Sequence, residues 1–313
     1  MTGFKARVYA CFALVYLVWG SSFLVGRLGV IDLPPLLFAS LRSLIAGTLL
    51  LGLALYRGNR LPDSRCEWWQ ILFFALVLIA FTSGASTFAL KYIASNEVAL
   101  LNASMALWIA GLGTLGPKGQ KLSIPSLIGL ALGFVGVALL VWPEEQRLRP
   151  EVGWQLLVLA AAFVWASGTI VYRNSALQLG PIAFNAMIML VGGVMLGAAG
   201  VATGELPDWH WEWRGMSAIL FLAVFASAIT YTAFAWLMKT ARTDRVATFA
   251  YVNPAIATVL GWLVLGETLT PQQLLGMLIV WHNEPGAWPA LAAAHATLGA
   301  GLVAGWAVGS LSA

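Results

Sequence analysis

The chain has 313 residues, of which 60% are hydrophobic and 10% are charged, and its mean hydropathy is +0.84. Soluble domains are about 45–50% apolar and about 25% charged, so a soluble sphere could not bury this much apolar side chain. The composition excludes a soluble enzyme, a disordered chain and a nucleic-acid-binding protein. The net charge of +4 agrees with the excess of Lys and Arg that cytoplasmic loops of membrane proteins carry.

Apolar runs follow one another along the chain, and each has the length of a membrane-spanning helix. A helix needs about 20 apolar residues to cross the hydrocarbon core, whereas barrel strands are near ten residues long and alternate in polarity. Length and composition therefore predict an all-α polytopic membrane protein with about ten transmembrane helices. The first nine predicted spans are Val8–Gly26, Pro34–Tyr56, Trp68–Leu90, Val98–Gly116, Ile124–Trp142, Val152–Tyr172, Pro181–Ala202, Met216–Met238 and Val246–Leu265.

The positive charges predict the orientation of the chain. With the N-terminus inside, the inner segments carry eleven Lys and Arg residues and the outer segments carry five, while Arg42 lies within the second span. Because cytoplasmic loops are enriched in positive residues, we expect a cytoplasmic N-terminus. The apolar stretch after Lys5 and Arg7 resembles a signal peptide, but no small-residue cleavage site follows it. We expect it to be the first, uncleaved helix.

The chain repeats itself at a nearly constant offset. Residues 146 positions apart are identical at the pairs Trp19/Trp165, Ser21/Ser167, Arg27/Arg173, Pro35/Pro181, Phe38/Phe184, Gly47/Gly193 and Phe88/Phe234. At an offset of 147, residues 119–123 match residues 266–270. Each copy holds five predicted spans, so the second copy enters the membrane from the opposite side. This pattern predicts inverted repeats, which in many secondary transporters expose a central site alternately to the two sides.

Short motifs in the chain resemble those of a known family. Trp19-Gly20-Ser21-Ser22-Phe23 follows an apolar lead, and Tyr251-Val252-Asn253-Pro254 with the later Gly266-Glu267 closes the ninth span. Together with Pro35, Phe38 and Arg42 in the second span, these motifs resemble EamA-type carriers of the drug/metabolite transporter superfamily over roughly residues 8–280. The resemblance implies two inverted five-helix repeats with both termini cytoplasmic. It also implies transport of small metabolites such as amino acids, often outward.

The sequence departs from the family pattern in three places. Leu107 stands where the second copy has Pro254, so only the ninth helix is expected to bend, and Gln120 stands where the second copy has Glu267. The third departure is the C-terminal segment, whose composition differs from all that precedes it. We therefore divide the chain into a first repeat (1–145), a second repeat (146–280) and an atypical apolar segment (281–313).

Three explanations of residues 281–313 stay open. The segment supplies a substitute tenth helix, forms an eleventh element, or is the unrelated product of a frameshift near codon 281. We favour the frameshift as the origin of the segment and the substitute tenth helix as its physical outcome.

Arg42 is the sharpest candidate for a substrate pathway, because a charge inside a span normally faces a cavity or a partner. Its alternative is structural, since it lies about eight residues from the helix start and a long side chain can snorkel to the interface. Trp19 and Trp165 lie at equivalent depths beside small residues, where two indoles would wall a cavity through stacking or cation–π contact. Their alternative is an aromatic belt or a wedge between helices.

Amides, hydroxyls and prolines within the spans complete the candidate set. Asn253 is favoured because Pro254 frees a backbone carbonyl nearby, although most amides in membranes only join helices. The substrate-pathway candidates are Trp19, Ser21, Ser22, Phe38, Arg42, Asn102, Trp165, Ser167, Asn185, Tyr231, Tyr251 and Asn253. The candidates for helix breaks or hinges are Pro254, Pro35 and Pro181. The residues interpreted as solvated loop charges are Lys91, Glu97, Lys239 and Asp244.

The scarcity of charge narrows the expected cargo. No Asp or Glu stands in the middle of a predicted span, which disfavours proton exchange through a buried carboxylate. Multiply anionic substrates normally need Lys and Arg clamps, so neutral, zwitterionic or weakly cationic solutes are expected instead. No motif predicts a catalytic residue, a metal site or a cofactor.

The sequence therefore predicts a secondary transporter that exports small metabolites across the inner membrane, and not an enzyme. One alternative is a multidrug or cation exporter of the same superfamily. Another, from a different class, is a membrane-embedded enzyme or scaffold without transport activity. The expected partners are a small-molecule substrate and the lipid bilayer, without nucleic acid, and a homodimer is left open.

Overall fold

The computed structural model describes residues 2–114, 124–141, 150–175, 177–240 and 249–271, together with residues 274, 275 and 278. Within this part of the chain, the structure consists of helices and turns without a β-strand. The helices are α1 (Thr2–Asp32), α2 (Pro35–Tyr56), α3 (Arg65–Ala89), α4 (Ser95–Leu112), α5 (Ile124–Val141), α6 (Pro150–Asn174), α7 (Pro181–Ala202), α8 (residues 213–240) and α9 (Phe249–Leu265). A short 3₁₀ turn, Leu206–Asp208, follows α7.

Six of the described helices, α1, α2, α3, α6, α7 and α8, contain apolar stretches long enough to cross a membrane. Large apolar side chains such as Leu17, Phe73 and Val194 are exposed on their outer surfaces, as expected for contact with lipid. The chain is therefore an all-helical, polytopic membrane protein. Of the region after α9, residues 271, 274, 275 and 278 are helical, whereas the rest of the predicted tenth helix and residues 281–313, for which the sequence predicted a substitute helix, lie outside the described residues.

The helix boundaries follow from backbone chemistry more than from hydropathy. Helix α1 is longer than its predicted span, because the charged residues at its ends do not interrupt a helix. It ends just before Pro34, since a proline disfavours the helical conformation in the residue that precedes it. Pro35 and Pro181 occupy the first turns of α2 and α7, where the missing N–H costs nothing. Gly266, at φ +65°, ends α9 as the sequence predicted.

Helices α2 and α7 pack closely through a pair of reciprocal contacts. A Cβ atom added to Gly47 would lie 2.8 Å from Cγ of Leu190, and one added to Gly193 would lie 3.0 Å from Cγ of Leu44. Gly47 and Gly193 are 146 positions apart, and so are Leu44 and Leu190. The two contacts therefore correspond to each other: in each, a glycine of one helix packs against the matching leucine of the other helix. Small residues let helices approach closely in a membrane.

Helices α3 and α8 share a second local feature, a π-helical segment in the middle of the span. The segments are Ala75–Phe81 and Leu222–Ile229. At the end of each, a threonine hydroxyl donates to a carbonyl five residues earlier: Thr82 to Val77 O (2.7 Å) and Thr230 to Phe225 O (2.7 Å). In both helices a threonine hydroxyl thus reaches back to a carbonyl of the π-segment, and π-segments often border functional sites.

In the described part of the structure, four carboxylates join the first half of the chain to the second at one end of the helix bundle. Glu205, which follows α7, accepts hydrogen bonds from the first-turn N–H groups of α2, at 2.9 Å from the N atoms of Leu36 and Leu37. Glu267, which follows α9, accepts bonds from Ser95 N, Ser95 Oγ and Asn96 N at the start of α4. Anions at helix N-termini satisfy unpaired N–H groups and the helix dipole.

The third carboxylate, Asp32 at the end of α1, accepts a bond from Nε of Arg214 in α8 at 2.6 Å. Gln155 in α6 donates to Glu97 in α4 at the same end of the bundle. We call this end, defined by Asp32, Glu97, Glu205 and Glu267, the bridged face. Four polar contacts thus cross between the halves of the chain here.

The close contact of α2 and α7 predicts that one methyl group added at Gly47 destabilises the protein. Gly47→Ala places a Cβ 2.9 Å from the main-chain N of Leu190, so a backbone must move. We expect a loss of about 1–3 kcal/mol in stability, measured as thermal inactivation of the detergent-solubilised protein by size-exclusion chromatography. Gly52→Ala on the same helix is the matched control, since nothing lies within 4 Å of its added Cβ. Equal stability of the two variants would contradict the contact.

Glu267 gives a second stability prediction. Glu267→Ala removes the acceptor of three hydrogen bonds at the start of α4 and leaves buried donors unpaired, so we expect a loss of about 1–3 kcal/mol. Glu212→Ala is the control, because Glu212 precedes α8 but its side chain makes no capping bond. Thermal unfolding of both variants in detergent is the measurement. A Glu267→Ala protein as stable as Glu212→Ala would show that the bridge contributes nothing.

Candidate functional site

A cavity of about 170 Å³ lies between the helices, at mid-helix depth. Its walls come from α1, α2, α3, α4, α6, α8 and α9, so both halves of the chain contribute. Of the sequence-predicted residues, those that border the cavity are Trp19, Ser22, Phe38, Arg42, Asn102, Trp165, Tyr231, Asn253 and Pro254. The structure thus gathers in one place side chains that stand up to 235 positions apart in the chain.

Trp19 anchors an aromatic wall of the cavity. Its ring centroid lies 5.1 Å from Tyr231, 5.1 Å from Phe234 and 5.3 Å from Phe249. Its Nε1 donates to Ala226 O at 2.9 Å, a carbonyl inside the π-helical segment of α8. The bond holds α1 against α8, and Trp19 borders the cavity. Trp165, the equivalent residue of the second half, borders the same space from α6.

Arg42 supplies the positive charge of the cavity wall. Its Nε donates to Ser227 Oγ at 3.1 Å, within the π-segment of α8. The side chain therefore crosses from α2 to α8 inside the bundle, about 10 Å along the axis from the helix start, and does not run along α2 towards the interface. Among the residues that border the cavity in the described part of the chain, Arg42 is the only charged one.

The amides and the proline of the candidate set lie on α4 and α9. The Nδ2 of Asn102 donates to Val98 O in its own helix at 2.9 Å. The neighbours of Asn253 fix the orientation of its amide, because only one orientation places the NH₂ group beside acceptors. In that orientation the NH₂ group donates to Tyr16 O (3.2 Å) and Phe249 O (3.3 Å) and so joins α9 to α1. Pro254 stands inside α9 and borders the cavity. The interior proline removes a backbone donor from this helix, and the bend expected there stays a prediction.

A row of hydroxyl residues on α3 borders the cavity and was missed from the sequence. The row consists of Thr82, Ser83, Ser86 and Thr87. A signal for it exists: the stretch Thr-Ser-Gly-Ala-Ser-Thr interrupts an otherwise apolar span, and its polar members recur at helical spacing, on one face. Hydroxyl groups there provide both donors and acceptors to a ligand.

Several predicted residues lie away from the cavity. Ser21 and Ser167 do not border it, and their hydroxyls bond to Val18 O and Phe163 O in their own helices. Asn185 is buried on α7, which contributes nothing to the cavity wall. On α1 and α6, the rotation of the helix turns Ser21 and Ser167 away from the cavity.

Two predicted prolines, Pro35 and Pro181, begin helices and do not break one. The side chain of Tyr251 lies outside the described part of the structure. For these residues and for those at the cavity, a role in a substrate pathway stays a prediction.

Glu97 corrects one sequence interpretation. We expected a solvated loop charge, but the side chain is buried in the first turn of α4 and accepts a hydrogen bond from Gln155. Lys91 is exposed as expected. The side chains of Lys239 and Asp244 lie outside the described residues. Within the described part of the chain, no group of three His, Cys, Asp or Glu side chains is arranged to hold a metal ion.

Comparison with known proteins identifies the family. The sequence profile of the EamA-like transporter family matches residues 7–142 and again residues 152–281. The chain is 33% identical over 273 residues to YedA of Escherichia coli K12, described as an uncharacterized inner membrane transporter, with 87% of each protein covered. It is 28% identical to the uncharacterized transporter YvbV of Bacillus subtilis, covering 88% of this chain and 90% of the relative.

More distant similarities agree with these matches. A probable amino-acid metabolite efflux pump of Salmonella typhimurium is 26% identical, over 85% of this chain and 90% of its own length. A solved crystal structure at 19% identity superimposes with a TM-score of 0.66, covering 90% of this chain and 96% of that one, and shows a shared fold. With matches that span both halves of its sequence, the chain belongs to the EamA-like transporter family.

Proposed function

We propose that this protein is a secondary transporter of the inner membrane that moves small metabolites by alternating access. The observation that carries the proposal is the cavity itself, which is walled by residues from both segments that match the family profile. Transporter sites lie near the bilayer midplane, at the interface between repeats. A multi-pass location in the inner membrane is supported by the apolar helices and by the name of the relative YedA.

Inverted repeats of five helices each are part of the proposal. Two local features support them: the reciprocal glycine–leucine contacts of α2 and α7, and the π-segments of α3 and α8 with their matching threonines. A pseudo-two-fold axis would relate each feature to its counterpart. In this scheme the N-terminus is cytoplasmic, the tenth helix completes the second repeat, and the bridged face lies outside. A homodimer stays a prediction.

The size of the cavity favours a small solute over a drug-sized one. Sites for drug-sized ligands measure about 300–1,000 Å³, whereas an engineered cavity of roughly 150 Å³ holds benzene. At about 170 Å³, this cavity suits a molecule of the size of a small amino acid. The name of the Salmonella relative supports amino-acid-like substrates and outward transport. We therefore place the multidrug exporter second.

Filling the cavity tests the proposal. Ser86 borders the cavity, so Ser86→Phe inserts a ring into the space that the solute would occupy. In proteoliposomes that contain the purified protein, we expect the flux of radiolabelled L-valine, L-threonine and L-phenylalanine to fall roughly tenfold or more. Ser167→Phe makes the same change at a predicted residue that does not border the cavity, and we expect its flux to stay within about twofold of wild type.

The two variants separate the possible outcomes. Both proteins are first compared by size-exclusion chromatography, so that a folding defect is recognised. Equal loss of flux in two folded variants would place the pathway elsewhere. A wild-type protein that moves no amino acid, amine or dye would contradict the transport function.

A further inference from the structure

We propose that Arg42 binds the carboxylate of the transported solute, and that the substrates are small monocarboxylates, zwitterionic amino acids included. This inference rests on the proposed transport function and names its substrate class. It starts from an electrostatic problem: within the described part of the chain, a guanidinium lies inside the membrane-spanning bundle, at the wall of a cavity, without a carboxylate beside it.

The charge of Arg42 lacks compensation among the described residues. A guanidinium has five N–H donors, and the only hydrogen bond that the described structure gives Arg42 is from Nε to the neutral Ser227 Oγ, at 3.1 Å. The ion pairs of the described chain involve Arg60 and Arg214 instead. A charge in the membrane interior is costly unless it pairs with an anion or faces water. The cavity is the place where such an anion can bind.

The Ser227 bond positions the guanidinium for this role. It fixes Nε against the π-segment of α8, and the terminal nitrogens remain to form a fork. Two parallel N–H groups match the two oxygens of a carboxylate, which is the strongest common form of such a pair. Lysine has no equivalent geometry, because its ammonium is a point charge on a flexible stem.

Because Arg42 is the only charged residue among the described residues that border the cavity, it favours a ligand with a single negative group. Phosphates and dicarboxylates are usually bound by several Lys or Arg residues, whereas a monocarboxylate needs one. A cationic drug would meet the Arg42 charge in a medium of low dielectric, where like charges repel strongly. Trp19 and Trp165 border the same cavity, and an indole ring can receive an ammonium group or an apolar side chain. An amino acid presents this combination of groups.

Matched ligands test the inference without relying on transport. The probes are L-valine, L-threonine and L-phenylalanine, each compared with its primary amide, which keeps the shape and removes the negative charge. Apparent dissociation constants come from ligand-induced shifts in the thermal unfolding of the purified protein. For wild type we expect each acid to bind on the order of tenfold to a hundredfold more tightly than its amide, the range for a charge-assisted hydrogen bond.

Three variants assign the preference to one side chain. Arg42→Gln removes the charge, and we expect its acid-to-amide preference to disappear. Arg42→Lys keeps the charge without the fork, and we expect a partial preference. Arg57→Gln removes an exposed arginine at the end of α2, and its preference is expected to match wild type. The comparison of acid and amide in the wild-type protein needs no variant. The inference can therefore be contradicted even if Arg42→Gln misfolds.

The outcomes distinguish this inference from the transport function. Wild type that binds the amides as well as the acids, or binds no acid, overturns the role of Arg42, and so does an unchanged preference in folded Arg42→Gln. If proteoliposomes nevertheless move uncharged solutes, the transport function stands. If the acids bind with the expected preference but no solute crosses the membrane, the site stands and the transport function fails.

Discussion

The close approach of α2 and α7 is the contact on which the rest of the bundle depends. In lipid, helices gain little from the hydrophobic effect when they associate, so packing and hydrogen bonds must hold them together. Gly47 and Gly193 remove the side chains that would keep the two backbones apart, and Leu190 and Leu44 fill the space. Ser40 Oγ adds a hydrogen bond to Gly193 O at 2.8 Å. The cavity lies beside this pair, bordered by the α2 face that carries Arg42.

The two sides of the cavity are held by different chemistry. At the bridged face, Glu205 and Glu267 from the second half of the chain cap helices of the first half. On the side of the cavity towards the start of α1, the contact is aromatic, with Trp19 packed against Phe234 and Phe249. In the proposed alternation, opening the bridged face exchanges charge-assisted bonds for bonds to water. Opening the other side exposes aromatic surface instead, so temperature and salt should affect the two motions differently.

The sequence predicted the helices well because length and hydropathy dominate in a membrane. Helices occur at all nine predicted positions that the structure describes. The cavity was predicted in part, since Trp19, Arg42 and Asn253 are unusual residues within apolar spans. What escaped prediction depends on rotation or on distant partners. The hydropathy pattern carries no information about π-segments. Glu267 caps a helix that begins 172 residues earlier, and no local rule reveals that partner.

The residues that correspond at the offset of 146 are found at helix contacts more than at the cavity wall. Phe38 borders the cavity, whereas its counterpart Phe184 stacks on Tyr172 at 4.1 Å, in a separate cluster. The residue that corresponds to Arg42 at the offset of 146 is Ile188, which is buried. The correspondence at an offset of 146 therefore covers the two tryptophans and the α2–α7 contact, but it does not cover the charge of Arg42. In the proposed role of Arg42, a second arginine at the position of Ile188 would require two anionic groups on the ligand or leave one charge unpaired, so the single arginine fits a ligand with one carboxylate.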